Sequence, residues 1–146
     1  MIELISRGAL YINDKILLCH KKGAWNTFLP GGHIDEGESA KEALRREFLE
    51  EMGEKVEIRD FLGVVEHKFK DKGSMIFELN LLFLVKLKEN KDPEYIKSRE
   101  SHIEFIICNI EDLEKNKLEP HIIIPVLKEW IENPLPDRFI SDLYRY

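Results

Sequence analysis

The stretch RREFLEEMG, residues 45–53, decides how the rest of the chain is read. Ser39 with Glu42 three residues later makes a capping-box pattern, and Gly53 is a helix stop, so a helix of about thirteen residues fits between them. At about 100° per residue, with Ala40 as origin, Ala43, Leu44, Phe48 and Met52 spread over one apolar stripe from about −60° to about 120°. Glu51 falls inside that stripe at about 20°, and Glu47 and Glu50 extend it at about −20° and −80°. On this geometry the acids lie on the inward side of the helix.

Carboxylates at i, i+3 and i+4 repel one another, and the negative end of the helix dipole and partial burial both worsen the repulsion. Arg46 reaches Glu42 or Glu50 but is one charge against several, and Arg45 points elsewhere. A divalent cation, hard and oxygen-seeking, neutralises such a set economically. Helix geometry alone leaves the plainer reading open, in which the glutamates only keep an exposed helix soluble.

The preceding loop, GHIDEGES from Gly32 to Ser39, is close to the phosphate-cradling pattern G-x-x-x-x-G-K-[ST], with Glu38 where the lysine belongs. An acid there repels phosphate, which argues against a loop of that type. A metal-mediated site turns the acids to use. Mg²⁺ held by glutamates takes diphosphate oxygens while Gly31 and Gly32 let backbone come close, which makes Gly31 and Gly32 candidate substrate-binding residues, with Glu38 of the same loop a candidate through the metal and not by direct phosphate contact.

Taken together, Gly32, five residues, Glu38, seven residues, Arg46-Glu47, Phe48, one residue, Glu50-Glu51, one residue and Gly53 resemble the Nudix box, the signature of the Nudix hydrolases. Leaving Phe48 aside, the other seven identities at fixed spacing arise by chance at a given start with a probability on the order of 10⁻⁸. FLPGGHIDEGES also looks like the family's entry to the box. The resemblance implies an α/β fold, the Nudix α/β/α sandwich with a mixed β-sheet between helices. It implies hydrolysis of a nucleoside diphosphate derivative (ADP-ribose, a nucleotide sugar or a nucleoside triphosphate) by attack of water on phosphorus.

Carried over by position, Glu47, Glu50 and Glu51 would ligate Mg²⁺, or Mn²⁺. Arg46 would orient a glutamate, and Glu38 would brace the loop or bind metal through water. The proton acceptor would be Glu50 or Glu51, or an acid from a distant loop such as Glu100 or Glu104; an ordinary strand or loop acid is the plainer reading of those last two. The alternative to an enzyme is a Nudix-like domain that binds a nucleotide without cleaving it. Glu54 departs from the family, which has an aliphatic residue there, and leaves the local packing in question.

The 146 residues suit one domain, expected over 1–132, with a C-terminal tail over 133–146 that packs on it or extends from it as irregular chain. Strands are expected over 2–12, 15–22, 56–69, 75–87 and 103–108, and a second helix over 125–132. GAWNTFLPGG is read as turn chemistry in which Pro30, Gly31 and Gly32 forbid a regular element, and the charged segment 88–101 as a loop able to reach over a site. Trp25 and Phe28, flanking the glycines, either stack on a base or join the core. His67 could contact substrate phosphate, although a lone strand histidine with no chemical role is the plainer reading, and Tyr144, Arg145 and Tyr146 could close over a site or join a homodimer interface, a frayed terminus being the plainer reading.

A net charge of −6 argues against polymeric nucleic acid and anionic membrane as partners and leaves a small anionic ligand approached through a cation. LNLLFLV, Leu79 to Val85, is too short for a membrane helix and reads as a buried strand. Cys19 and Cys108, lacking metal-type spacing, are expected as small core thiols in a reducing, cytoplasmic setting.

Overall fold

Apolar residues on successive positions of the strands send side chains to two faces, and each face carries a helix. The computed structural model describes residues 1–135 and 137–143. In chain order the elements are β1 (Ile2–Ile12), β2 (Lys15–Lys21), β3 (Thr27–Phe28), β4 (Gly31–His33), α1 (Ala40–Met52), β5 (Val56–Asp71), β6 (Ser74–Leu87), β7 (Ile103–Asn109), α2 (Leu127–Glu132) and β8 (Phe139–Ser141). The strand order is β3-β2-β1-β6-β5-β8, with β4 also on β1 and β7 also on β2. β1 runs parallel to β6 and β8 parallel to β5, whereas β5 and β6 form a long antiparallel hairpin, so the sheet is mixed.

Neighbouring residues on one strand go to opposite cores. In β2, Leu17 joins Leu44, Phe48 and Met52 of α1, while Ile16 and Leu18 join Leu127, Trp130 and Ile131 of α2. In β1, Leu10 goes to the α1 side and Ala9 to the α2 side. At roughly 1.5–3 kcal/mol for each large apolar side chain removed from water, the two clusters hold the helices against the sheet. The outcome is the α/β/α sandwich with a mixed sheet.

The first helix has the expected bounds. The Ser39 side chain accepts from the Glu42 N–H at 3.1 Å, the Glu42 carboxylate accepts from the Ser39 N–H at 3.5 Å, and Gly53 closes the other end. Three expectations need correction. Gly31 and Gly32 do enter a strand: β4 pairs with Ile5, Ser6 and Arg7 of β1, because the lack of side chains lets the two backbones meet. The tail is not wholly irregular, since β8 pairs with Val64, Val65 and Glu66 of β5. The second helix begins at Leu127, after a 3-10 turn over His121–Ile123. Tyr144, Arg145 and Tyr146 lie outside the described residues. No helix among the described residues is long and apolar enough to cross a membrane.

Candidate active site

The three box acids end up in three different environments. Glu51 is buried at 5% exposure, Glu47 is half-buried and Glu50 is exposed, so the inward placement expected for all three fails for Glu50, the one farthest from the centre of the stripe. Glu51 Oε2 is the one buried side-chain polar atom without a hydrogen-bond partner among the described residues. Burial first, then the charges of Glu47 and Glu100, push the Glu51 carboxyl up to about 8. Burial also raises Glu47, against the pull of Arg46. A buried acid with an unused oxygen, facing other acids, is costly as a carboxylate: it either keeps its proton or is joined by a cation.

Arg46 ties the helix to the loop that precedes it. Its Nε donates to Glu38 Oε2 at 2.8 Å and its Nη2 to Glu38 Oε1 at 2.9 Å, a bidentate pair. Its Nη1 donates to Glu47 at 3.0 Å and more weakly to Glu50 at 3.5 Å, and Nη2 reaches the His33 carbonyl at 3.0 Å. Arg46 therefore pairs with Glu38 and Glu47, not with Glu42. The guanidinium first, then the Asp35 backbone N–H, hold the Glu38 carboxyl down at about 2. Glu38 is thus spent on bracing the loop.

Two glycines permit the close approaches. A Cβ on Gly32 would meet the Glu47 carboxylate at 2.5 Å, so the empty position is where Glu47 lies. At Gly31, with φ of 145°, a Cβ would strike the Ser6 carbonyl. Both glycines admit parts of the protein itself. At the far end of α1, Gly53 admits the Arg99 guanidinium, and the Arg99 N–H donates to the Glu51 carbonyl at 2.8 Å. That contact brings the loop carrying Glu100 onto the acid cluster.

Glu100 therefore sits with the acids, while its partner in expectation does not. Glu104 lies on β7 opposite His20 and takes its Nδ1 at 2.7 Å, a cross-strand pair. Glu54 is offset by Lys91, whose ammonium donates to it at 2.7 Å, which is how the departure from an aliphatic residue is accommodated.

Beside the acids, across Arg7, opens a cleft of about 520 Å³ lined by Trp25, Phe28, His67, Glu78 and Asn80 among others. Trp25 is 66% exposed, which removes it from the core, and Phe28 is partly covered by the Arg7 guanidinium 5.5 Å from its ring centre. Arg7 also donates to the Leu29 carbonyl at 3.1 Å, and its charge lowers the Glu51 carboxyl, so a cation of the cleft lining is felt at the cluster. Arg7, Glu78 and Asn80 are absent from the sequence candidates. Their available signal was a polar residue interrupting an apolar strand, as in LISRGAL and LNLLFLV.

Among the described residues no group of three or more His, Cys, Asp or Glu side chains stands ready-made as a metal site. The donors nevertheless fit a hard cation: all are oxygens, Glu47 and Glu51 are raised by burial and then by neighbouring carboxylates, and one Glu51 oxygen has no partner.

The NUDIX domain family profile matches residues 4–129. The chain belongs to the Nudix family. It is 29% identical over 128 residues to an 8-oxo-dGTP diphosphatase of Buchnera aphidicola subsp. Acyrthosiphon pisum (strain APS), covering 88% of this chain and 94% of that protein. It is 36% identical over 104 residues to an RNA pyrophosphohydrolase of Helicobacter pylori (strain ATCC 700392 / 26695), covering 64% of each. The chain thus spans under two-thirds of that protein's length, and 53% of that of a Bacillus subtilis (strain 168) relative. Among solved structures, a MutT NUDIX hydrolase from Burkholderia pseudomallei superposes with a TM-score of 0.70 at 22% identity, covering 85% of this chain and 95% of that one, a likeness of fold.

Proposed function

We propose that this Nudix chain is a metal-dependent pyrophosphohydrolase that cleaves the diphosphate linkage of a small nucleoside diphosphate derivative by attack of water on phosphorus. The observation that carries the reading is the Glu51 carboxylate, buried, with one oxygen unpartnered, beside Glu47 and Glu100. Glu47, Glu50 and Glu51 would hold Mg²⁺, or Mn²⁺. When bound, such an ion neutralises phosphate oxygens and lowers the pKa of a coordinated water. Arg46 holds Glu47 in place and Glu38 holds Arg46, so the loop and helix keep the acids from spreading into solvent. Glu100, outside the helix and beside the cluster, is in our reading the carboxylate that takes the proton from water.

The cleft next to Arg7 would take the nucleoside, with the scissile linkage directed toward α1. Relatives named for 8-oxo-dGTP and for RNA support a nucleotide ligand, and the excess of acids supports a small one. The free thiols Cys19 and Cys108 are in keeping with the cytoplasm. The test is a panel of ADP-ribose, nucleotide sugars and nucleoside triphosphates, assayed for released phosphate and monophosphate with Mg²⁺ or Mn²⁺ and with EDTA. Cleavage of at least one member, abolished by EDTA, is expected. Binding without cleavage of any member overturns the reading in favour of a non-catalytic domain.

A further inference from the structure

The last strand, unanticipated by the sequence, places an acid behind a cleft residue. Asp142 directly follows β8, and its N–H donates to the Glu66 carbonyl at 3.1 Å. Its two carboxylate oxygens are both engaged: Oδ1 accepts from the Lys68 N–H at 2.9 Å and Oδ2 from His67 Nδ1 at 2.5 Å. A carboxylate accepts only, so the Nδ1 position carries the proton and the ring orientation is fixed. The ring also stacks on Phe69, centroids 5.3 Å apart. What is left of the imidazole is the Nε2 edge, which has no hydrogen-bond partner among the described residues, and His67 lines the cleft.

Strand register says what His67 stands beside. His67 is opposite Glu78, and Val65 and Ile5 are both opposite Asn80, so His67, Glu78 and Asn80 share one face of the sheet, the floor of the cleft. Lys68 and Lys70 also line the cleft but root on the opposite face of the strand, and Arg7, the third cation of the lining, donates to Leu29 and Asn80. Asp71, Glu78 and Glu119 add acids to the lining. A phosphate set directly against His67 would meet the Glu78 carboxylate opposite it. Hydroxyl and N–H donors, and ring edges offering both donor and acceptor, would be taken up.

We propose that His67, posed by Asp142, is a specificity-determining residue of the cleft, and that with Glu78 it contacts an uncharged, donor-bearing ring, the base or sugar of the substrate, and not a second anionic group. This rests on the reading that the chain takes a nucleotide. His67 is the contacting residue and Asp142 a positioning residue.

The test uses the whole chain in EDTA, so that binding is read without turnover. Adenosine, guanosine, cytidine, uridine and inorganic phosphate are titrated separately, following the NMR signal of the His67 ring and the dissociation constant. At least one nucleoside is expected to shift that signal, and phosphate is expected to leave it in place. His67→Ala should weaken that nucleoside about tenfold, His67→Gln should recover part of the loss, and Asp142→Asn should weaken it less. Adding Asp142→Asn to His67→Ala should cost nothing further, a non-additivity that a merely structural tie would not give; melting curves control for the fold. Nucleosides that leave the ring unmoved, equal binding by His67→Ala and His67→Gln and the parent, or a ring that responds to phosphate alone would each overturn the proposal. Nucleoside binding through His67 in a chain that cleaves no panel member would sink the hydrolase reading and leave this one standing.

Discussion

Glu51 and Asn80 are both buried polar side chains, at 5% and 2% exposure, and they are buried in opposite ways. Asn80 is neutral and shares out its amide: Nδ2 donates toward the Val65 carbonyl and Glu78 at 3.4 Å each, and Oδ1 accepts from Arg7 at 3.5 Å. Glu51 is an acid with an oxygen left over, among other acids. The end of α1 crowds acids together with one buried oxygen to spare. The cleft floor spreads dipoles and paired charges over three strands, which suits a ring with hydrogen-bonding edges. Arg7 lines the cleft and its charge lowers the Glu51 carboxyl, so it links the two regions; in the proposed reading the acid end would serve the phosphates and the cleft the nucleoside.

The sharpest way to break that contrast is to neutralise the acid. Glu51→Gln keeps shape and removes charge, so activity on the best substrate should fall by about a thousandfold or more, as for loss of a group that holds the reaction's charge. Glu47→Gln should fall comparably. Steady-state kinetics with Mg²⁺ read both, and circular dichroism should show the fold unchanged. Retained turnover in both variants would leave the cluster without a catalytic role.

A second contrast separates two acids that look alike in sequence. Glu100→Gln should lower kcat by about a hundredfold, the usual scale for a lost general base, and flatten the acid limb of the rate profile. Glu104→Gln, which only loosens an exposed pair with His20, should change kcat by less than about twofold. Equal effects of the two substitutions would remove Glu100 from the chemistry.

The acid cluster should also show itself in stability without any substrate. The Glu51 carboxyl titrates at about 8 in the folded chain against an ordinary value of 4.5. Between those values the folded state keeps a proton that the unfolded chain has released, so stability is full below pH 4.5 and is lost as pH rises toward 8. Glu47, raised as well, adds to the same slope. In EDTA the melting temperature of the parent should therefore fall by several degrees from pH 5 to pH 8, and that of Glu51→Gln by less. Mg²⁺ should restore the parent at high pH and do little for the variant. Parallel pH curves for the two proteins would show that Glu51 is not held protonated.

The same contrast explains what the sequence revealed and what it hid. The box acids, Arg46, Glu38 and Gly32 lie within one loop and one helix, so a 3.6-residue period and fixed spacing bring them together on paper. Even there, periodicity could place Glu50 only by angle, and it came out exposed because the apolar stripe ends before it. The cleft had no such local rule. Its floor depends on β1 running parallel to β6 and on β8 adding to β5, pairings made between segments far apart in the chain. Asp142 behind His67 was beyond reach for that reason. Glu100 and Glu104 were equivalent on paper, and only the Arg99 contact with the end of α1 separates them.

The smallest expected effect tests the cleft's open wall. Trp25 is 66% exposed beside Phe28 and across Arg7 from the acids, a position that costs the free protein apolar exposure. Base–aromatic stacking contributes about 1–3 kcal/mol where it occurs, and an exposed, partly engaged ring belongs at the low end. Trp25→Ala should therefore raise KM about fivefold to tenfold and leave kcat nearly unchanged. Because the side chain packs little, its melting temperature should stay within about a degree or two of the parent's. Phe28→Ala removes a half-buried ring under the Arg7 guanidinium, and should cost both stability and binding. A Trp25→Ala protein that melts far lower while keeping its KM would assign that tryptophan a structural role and remove it from the cleft's binding wall.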